Sequence, residues 1–259
     1  MIITSSTNKQ VKNVMHLMTK ASARREQKLF VVEGIKMFLE TPVDRIEKVF
    51  ISESLYKDNK DLVKKIEEYS YEVVKDSVFK EMSGTVTPQG IMALVRQSQY
   101  NIEEIINKNE KQAFIVLEGL QDPGNMGTII RTAEGAGIAA VIMDKNTVDV
   151  YNPKVIRSTM GSIYRVPFVI TENLVDTVDK LQKSGIIVYA AHLQGKIYYD
   201  EANFKESSAI LIGNEGNGLT DEISQKADRR IKIPMHGKVE SLNASVAAAI
   251  LMYEATKNI

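Results

Sequence analysis

The chain has no cysteine, which excludes disulfide bridges and thiolate metal sites. Histidine is scarce, at three residues, and no cluster with metal-ligand spacing exists, so no resident metal is expected. Long hydrophobic runs are also missing. The longest reach about ten residues, too short to cross a bilayer, and no signal peptide precedes them. A cytoplasmic protein without a membrane partner is the expectation. Net charge is zero, with 33 basic residues against 33 acidic ones. That balance argues against coating nucleic acid by bulk charge and leaves only local patches to do so. Repeats and low-complexity segments are absent.

What is present is ordinary for a folded chain: 259 residues, 44% hydrophobic and 25% charged, enough for one large domain or two modest ones. In the first hundred residues Val11, Met15 and Met18 mark one face of a helix, and the strand-like "LFVVEG" follows. "KVFIS" (48–52), a charged amphipathic helix around 56–69, "YEVVKD" and "GIMALVRQ" (90–97) complete a small α/β domain over residues 1–98. A polar stretch over 99–111 reads as a linker. Residues 112–259 then carry strand signals at 113–120, 139–144, 166–170, 185–191, 209–214 and 229–234. Helical stretches at 126–136, 152–158, 172–184, 220–227 and 242–257 separate most of them. Continuously apolar strands alternating with helices imply a parallel sheet covered on both faces.

One local charge imbalance stands out. Residues 8–28 carry Lys9, Lys12, Lys20, Arg24, Arg25 and Lys28 against the single acid Glu26. The stretch is a candidate RNA contact, although a solvated helix face would have the same composition.

Ligands of parallel sheets gather beyond the carboxyl ends of the strands, and three loops there are unusual. "QDPGNMGTIIRTAEGAG" (121–137) places Asn125 between Gly124 and Gly127, with Arg131 in the helix that follows. Its spacing is not that of a dinucleotide-binding loop, and only Asp144 could act as the acid such a loop requires. Asn125 as a helix cap and Arg131 paired with Glu134 would account for the same residues. "LIGNEGNGLT" (211–220) sets three glycines around Glu215 after an apolar strand. In "IPMHGKVESLNASVAAA" (233–249), Ser241, Leu242 and Asn243 precede an alanine-rich helix, where Ser or Asn ordinarily caps.

In that order, "NMGTIIR", "GNEGNGL" and "IPMHGKVESLNASVA" resemble the three motifs of the SpoU/TrmH family of RNA ribose 2′-O-methyltransferases. "TKASARREQKLFVVEGIKMFLE" (19–40) is similar to the substrate-binding domain often found ahead of that catalytic domain, a module related to the ribosomal L30e/L7Ae fold. The resemblance implies a SPOUT α/β domain with a deep trefoil knot, S-adenosylmethionine as cofactor, and a homodimer formed through the C-terminal domain. By motif position it implies cofactor contacts from Gly213, Ile233, Met235, Leu242 and Asn243. It likewise implies a catalytic group of Arg131, Asn125, Glu215, Ser241 and Asn243. His192 and His236 lie near strand ends but match no motif position. A detached substrate domain goes more often with large ribosomal RNA than with transfer RNA in related proteins, which points to 23S rRNA. A transfer RNA methyltransferase and a catalytically silent RNA-binding protein of the same fold remain the alternatives. A nucleotide-dependent oxidoreductase lacks its fingerprint.

Overall fold

The computed structural model describes residues 2–107 and 109–257. The extreme ends of the two expected domains and one linker position, Lys108, lie outside the described residues. The chain divides into two compact units, residues 1–98 with 149–164, and residues 99–148 with 165–259.

The first unit opens with β1 (Ile2–Ile3) and α1 (Lys9–Thr19), whose N-cap Asn8 accepts a hydrogen bond from the Gln10 N–H. Val11, Val14 and Leu17 are the buried face of α1, while Met15 and Met18 pack at its margin. The inward stripe is therefore turned slightly from the expected Val11–Met15–Met18 line. Next come α2 (Ala21–Gln27), β2 (Leu29–Glu33), α3 (Ile35–Glu40) and β3 (Ile46–Ser52). The helix expected over 56–69 is two helices, α4 (Glu53–Asp58) and α5 (Lys60–Ile66). Asn59 divides them, because its side chain caps α5 by accepting from the Leu62 N–H. β4 (Tyr71–Val74), α6 (Asp76–Met82) and β5 (Ile91–Arg96) follow. The five strands lie in the order β1-β4-β3-β5-β2, with β1, β4 and β3 parallel and β5 antiparallel to both its neighbours.

The second unit begins with α7 (Ile102–Ile105), β6 (Ala113–Leu117), α8 (Pro123–Ala136) and β7 (Ala140–Asp144). Residues 149–164, expected within the second domain, instead group with the first unit. Their helix α9 (Pro153–Thr159) packs on β2, burying Val155 and Ile156, and the Tyr151 ring lies 4.7 Å from that of Phe30.

This segment also corrects one expected RNA contact. Arg24 is buried: its Nε donates to Asp149 Oδ2 at 2.8 Å and its Nη1 to the Leu17 carbonyl at 2.6 Å. A guanidinium committed to a carboxylate and to the carbonyl end of α1 holds the unit together and offers nothing to a phosphate. Lys9, Lys12, Lys20, Arg25 and Lys28 are exposed.

The second unit resumes with β8 (Phe168–Thr171), α10 (Leu174–Lys183), β9 (Ile187–Ala191), β10 (Ile197–Tyr198), β11 (Ser208–Ile212), α11 (Asp221–Lys226), β12 (Arg229–Lys232) and α12 (Ala244–Thr256). Its seven strands are all parallel, in the order β10-β12-β9-β11-β6-β7-β8. β6, β7 and β11 are buried along their whole length, as their unbroken apolar runs require. One face carries a core built from Phe114, Ile142, Leu181, Val188 and Leu211 under α10 and α11, while α12 and α8 pack on each other. Among the described residues no helix is long and apolar enough to cross a membrane.

Candidate active site

The loops after β6, β11 and β12 meet at the carboxyl end of the parallel sheet. After β6 the chain turns into α8, where Pro123 occupies the first turn and Asp122 Oδ1 caps the helix by accepting from the Asn125 N–H at 2.8 Å. The cap is thus Asp122, which leaves the buried side chain of Asn125 free for other bonds. Asn125 Nδ2 donates to Glu215 Oε1 at 3.0 Å, and Asn125 Oδ1 accepts from Asn243 Nδ2 at 2.9 Å. Asn243 Oδ1 in turn accepts from the Ser245 N–H at 2.9 Å and the Val246 N–H at 3.4 Å. Asn243 therefore caps α12 with one end of its amide and reaches Asn125 with the other, and Asn125 joins the three loops.

Glu215 is the anchor of this chain. Besides Asn125 it accepts from the backbone N–H groups of Gln121 at 3.0 Å and Asp122 at 2.9 Å. Burial pushes its carboxyl up, but the Gln121, Asn125 and Asp122 donors together outweigh that and hold it below its ordinary value. A carboxylate with both oxygens already engaged is a poor proton acceptor, so Glu215 organises the loops. Asn214 and Gln121 were not expected at the site, and Asp144 was a candidate only as a dinucleotide loop's acid, yet all three brace the same loops. Asn214 Nδ2 donates to the Gly119 carbonyl at 2.8 Å, and Gln121 Nε2 donates to the Asn146 carbonyl at 2.7 Å. Asp144 Oδ1 accepts from the Gly119 N–H and the Thr147 hydroxyl, which makes it a buried bracket and not a ribose ligand.

Two adjoining cavities open beside this chain. One of about 340 Å³ is lined by Gly213, Asn214, Glu215, Asn217 and Leu219; the other, of about 120 Å³, by Ile231, Lys232, Ile233, Met235 and Leu251. Ala191, His192, Leu193, Ser241, Leu242 and Ala247 border both. Gly213, Ile233, Met235 and Leu242, expected around a cofactor, thus line one joined space, whereas Asn243 turns away from it to Asn125. Gly213 has no room for a side chain, because a Cβ there would lie 2.1 Å from the Gly218 carbonyl carbon. The loop closes on itself at that point through Asn214 and Gly218, which exchange backbone hydrogen bonds.

Among the described residues the backbone N–H groups of Gly213, Ile233 and Leu242 take no partner from the protein. Unpaired main-chain donors over apolar walls suit a nucleoside, which needs hydrogen bonds in its ring plane and hydrophobic contact on its faces. His192 borders the cavities, and its Nδ1 accepts from the Gln194 N–H at 3.1 Å. With Nδ1 accepting, Nε2 is the ring nitrogen left to face the cavities' contents. His236 lines neither cavity.

Arg131 is exposed on α8 and makes no hydrogen bond or ion pair among the described residues. The pairing with Glu134 that would have given it a structural role does not occur, since Glu134 is bound by Arg165. Five catalytic candidates therefore separate by position. Asn125, Glu215 and Asn243 are joined, Ser241 borders the cavities, and Arg131 stands free.

These features define an α/β protein with a nucleoside-sized site built from knitted loops at the carboxyl edge of a parallel sheet. The chain belongs to the SpoU rRNA Methylase family, whose model matches residues 112–253. Residues 8–93 match the MRM3-like substrate binding domain. It is 34% identical over 258 residues to the 23S rRNA (guanosine(2553)-2′-O)-methyltransferase RlmP of Bacillus subtilis, covering 97% of each chain. Among solved structures it superposes on an AdoMet-bound rRNA methyltransferase from Sinorhizobium meliloti with a TM-score of 0.87 and 28% identity, covering 100% of this chain and 98% of that one. A TrmH-family RNA methyltransferase described as putative, from Porphyromonas gingivalis, gives 0.81 at 30% identity, covering 98% of this chain and 100% of the other.

Proposed function

We propose that this protein transfers a methyl group from S-adenosylmethionine to a ribose 2′-hydroxyl of 23S rRNA. The observation that carries this reading is the joined cavity at residues 213, 233 and 242, with unpaired main-chain donors beside the Glu215–Asn125–Asn243 chain. The full-length likeness to RlmP supports the choice of RNA.

When bound, S-adenosylmethionine supplies an electrophilic methyl carbon on a sulfonium. Gly213, Ile233 and Leu242 hold its adenosine through their main chain, and Met235 and Leu251 form apolar walls. As the 2′-oxygen takes the methyl carbon, the bond from that carbon to sulfur breaks to leave a neutral thioether and the hydroxyl proton passes to solvent water, so negative charge develops on the oxygen during the displacement. Arg131 is the group that meets this charge. It stays protonated, so it binds the target phosphate and stabilises the forming alkoxide without acting as a simple base. Ser241 orients the ribose, while Asn125, Glu215 and Asn243 position the start of α8, which carries Arg131, and the loop that carries Ser241.

The exposed lysines of α1 and its surroundings, with Arg25, give residues 1–98 a surface for RNA. A homodimer through the second unit is part of the same reading. α12 is apolar on every side, and Val246 and Tyr253, seven positions apart, stay exposed on it. The motif order also supports the trefoil knot, and an rRNA substrate supports a cytoplasmic site of action.

The test uses purified protein, tritiated S-adenosylmethionine and total RNA lacking the endogenous modification. Label in one large-subunit fragment, recovered as an alkali-resistant linkage, is the expected result. Label in transfer RNA alone would move the substrate, and absence of label with cofactor bound would leave an RNA-binding protein without catalysis. Arg131→Ala should remove the label and leave cofactor affinity by calorimetry unchanged; loss of both would overturn its assigned role.

A further inference from the structure

We propose that the β10–β12 edge of the second unit is a binding track for the RNA backbone, with one base stacked on Tyr198. This rests on the RNA-methylating reading of the adjoining cavity. β10 pairs with β12 in parallel register, Ile197 beside Ile231 and Tyr198 beside Lys232. Side chains alternate along strands, so Lys196, Tyr198, Arg230 and Lys232 share one face, opposite the buried Ile231. Tyr198 is 40% exposed, and Lys232 Nζ lies 4.8 Å from its ring centre.

Lys196, Arg230 and Lys232 gather on one face of this edge, while Asp228 and Glu240 flank the 229–239 stretch and Asp200 and Glu201 follow β10. Lys196 has no partner among the described residues, and Arg230 makes only a 3.4 Å bond to the Ser224 carbonyl. Among the described residues none of Asp200, Glu201, Asp228 and Glu240 forms an ion pair with these cations. Asp228 accepts from Gln182 Nε2 and the Val188 N–H, and Glu201 accepts from the Tyr198 N–H at 3.4 Å.

Cations alone would guard an exposed sheet edge against strand addition. A half-exposed tyrosine beneath a lysine has no place in that task, but it is what single-stranded RNA recognition uses, with phosphates on cations and a base on an aromatic face. Lys232 also borders the smaller cavity, so the track runs to the rim of the candidate active site.

The full chain is tested for binding to a 23S rRNA fragment over a series of salt concentrations. Lys196→Gln combined with Arg230→Gln should weaken binding by about tenfold and lower the slope of log affinity against log salt by about 2, because two phosphate contacts are lost. Cofactor affinity and the rate at saturating RNA should be retained. Tyr198→Ala should weaken RNA binding where Tyr198→Phe does not. Unchanged affinity and slope in the double variant would overturn the track and leave those cations as edge protection. If the unaltered chain neither binds nor methylates any RNA, the proposed function fails, and the track with it.

Discussion

Glu215 is a carboxylate whose hydrogen bonds tie together the loops of the candidate site. Its three donors come from two residues at the start of α8 and from Asn125, so the charge sits where loop backbone and helix beginning converge. Because its folded pKa is lowered, its contribution to stability is complete above the ordinary carboxylate value of 4.5 and is lost as pH falls through the lower folded value. Glu215→Gln should accordingly unfold at lower urea concentration than the parent at pH 7, and the gap should narrow as the pH falls below the ordinary carboxylate range. A gap that stays constant with pH would mean that the carboxylate charge does not hold the loops. Arg24 illustrates the opposite outcome at the same scale. In a string of letters it is one of six cations, yet only five of them reach solvent. The distinction depends on Asp149, which lies 125 positions away and has no local signature.

At the scale of elements, the glycines of the 211–220 loop have separate reasons for being glycine. Gly213 packs its Cα against the backbone at 218–219, whereas a Cβ on Gly216 would meet only the Asn214 side chain at 3.4 Å. Gly213→Ala should cost about 1–3 kcal/mol of stability, with a matching loss of cofactor affinity, since the clash is with backbone that cannot step aside. Gly216→Ala should be close to neutral in thermal melting and calorimetry. Equal effects at the two positions would show that general loop flexibility, not the close approach at Gly213, is what the sequence protects. Most of the elements themselves were legible. The strands of the second unit are buried apolar runs, and the helices between them carry caps and polar faces. β1, α2, α3, α6 and β10 were not legible, being segments of seven residues or fewer with too few positions to display a period. The division of the 56–69 helix turned on one asparagine that prefers to cap.

Taken as a whole molecule, the chain leaves an apolar helix incompletely covered. α12 buries Ala248, Leu251, Met252 and Ala255 but exposes Val246 and Tyr253. If a second copy covers that face, Val246→Glu with Tyr253→Glu should convert a dimer to a monomer in sedimentation at micromolar concentration, with secondary structure by circular dichroism unchanged. A parent chain that already sediments as a monomer would remove the dimer from the proposed function. The grouping of residues 149–164 with the first unit also belongs to this scale. Its helix has an ordinary cap and apolar positions, and nothing local states which sheet it will join.

By itself the sequence determined the two-part α/β plan, the parallel character of the second sheet and the three unusual loops at its carboxyl end. Each of these follows from local physics: the period of apolar residues, the conformational freedom of glycine and the hydrogen-bonding habits of Asp, Asn and Ser. Only the tertiary structure decided which polar residues act together. Asn125, Glu215 and Asn243 are separated by 90 and 118 positions from one another's partners, and a hydrogen bond of 3 Å between them exists only once the strands have set their loops side by side. The same holds for the basic face at β10 and β12. Its alternation could be read within either strand, but the pairing that places Tyr198 beside Lys232 is a matter of register between distant segments.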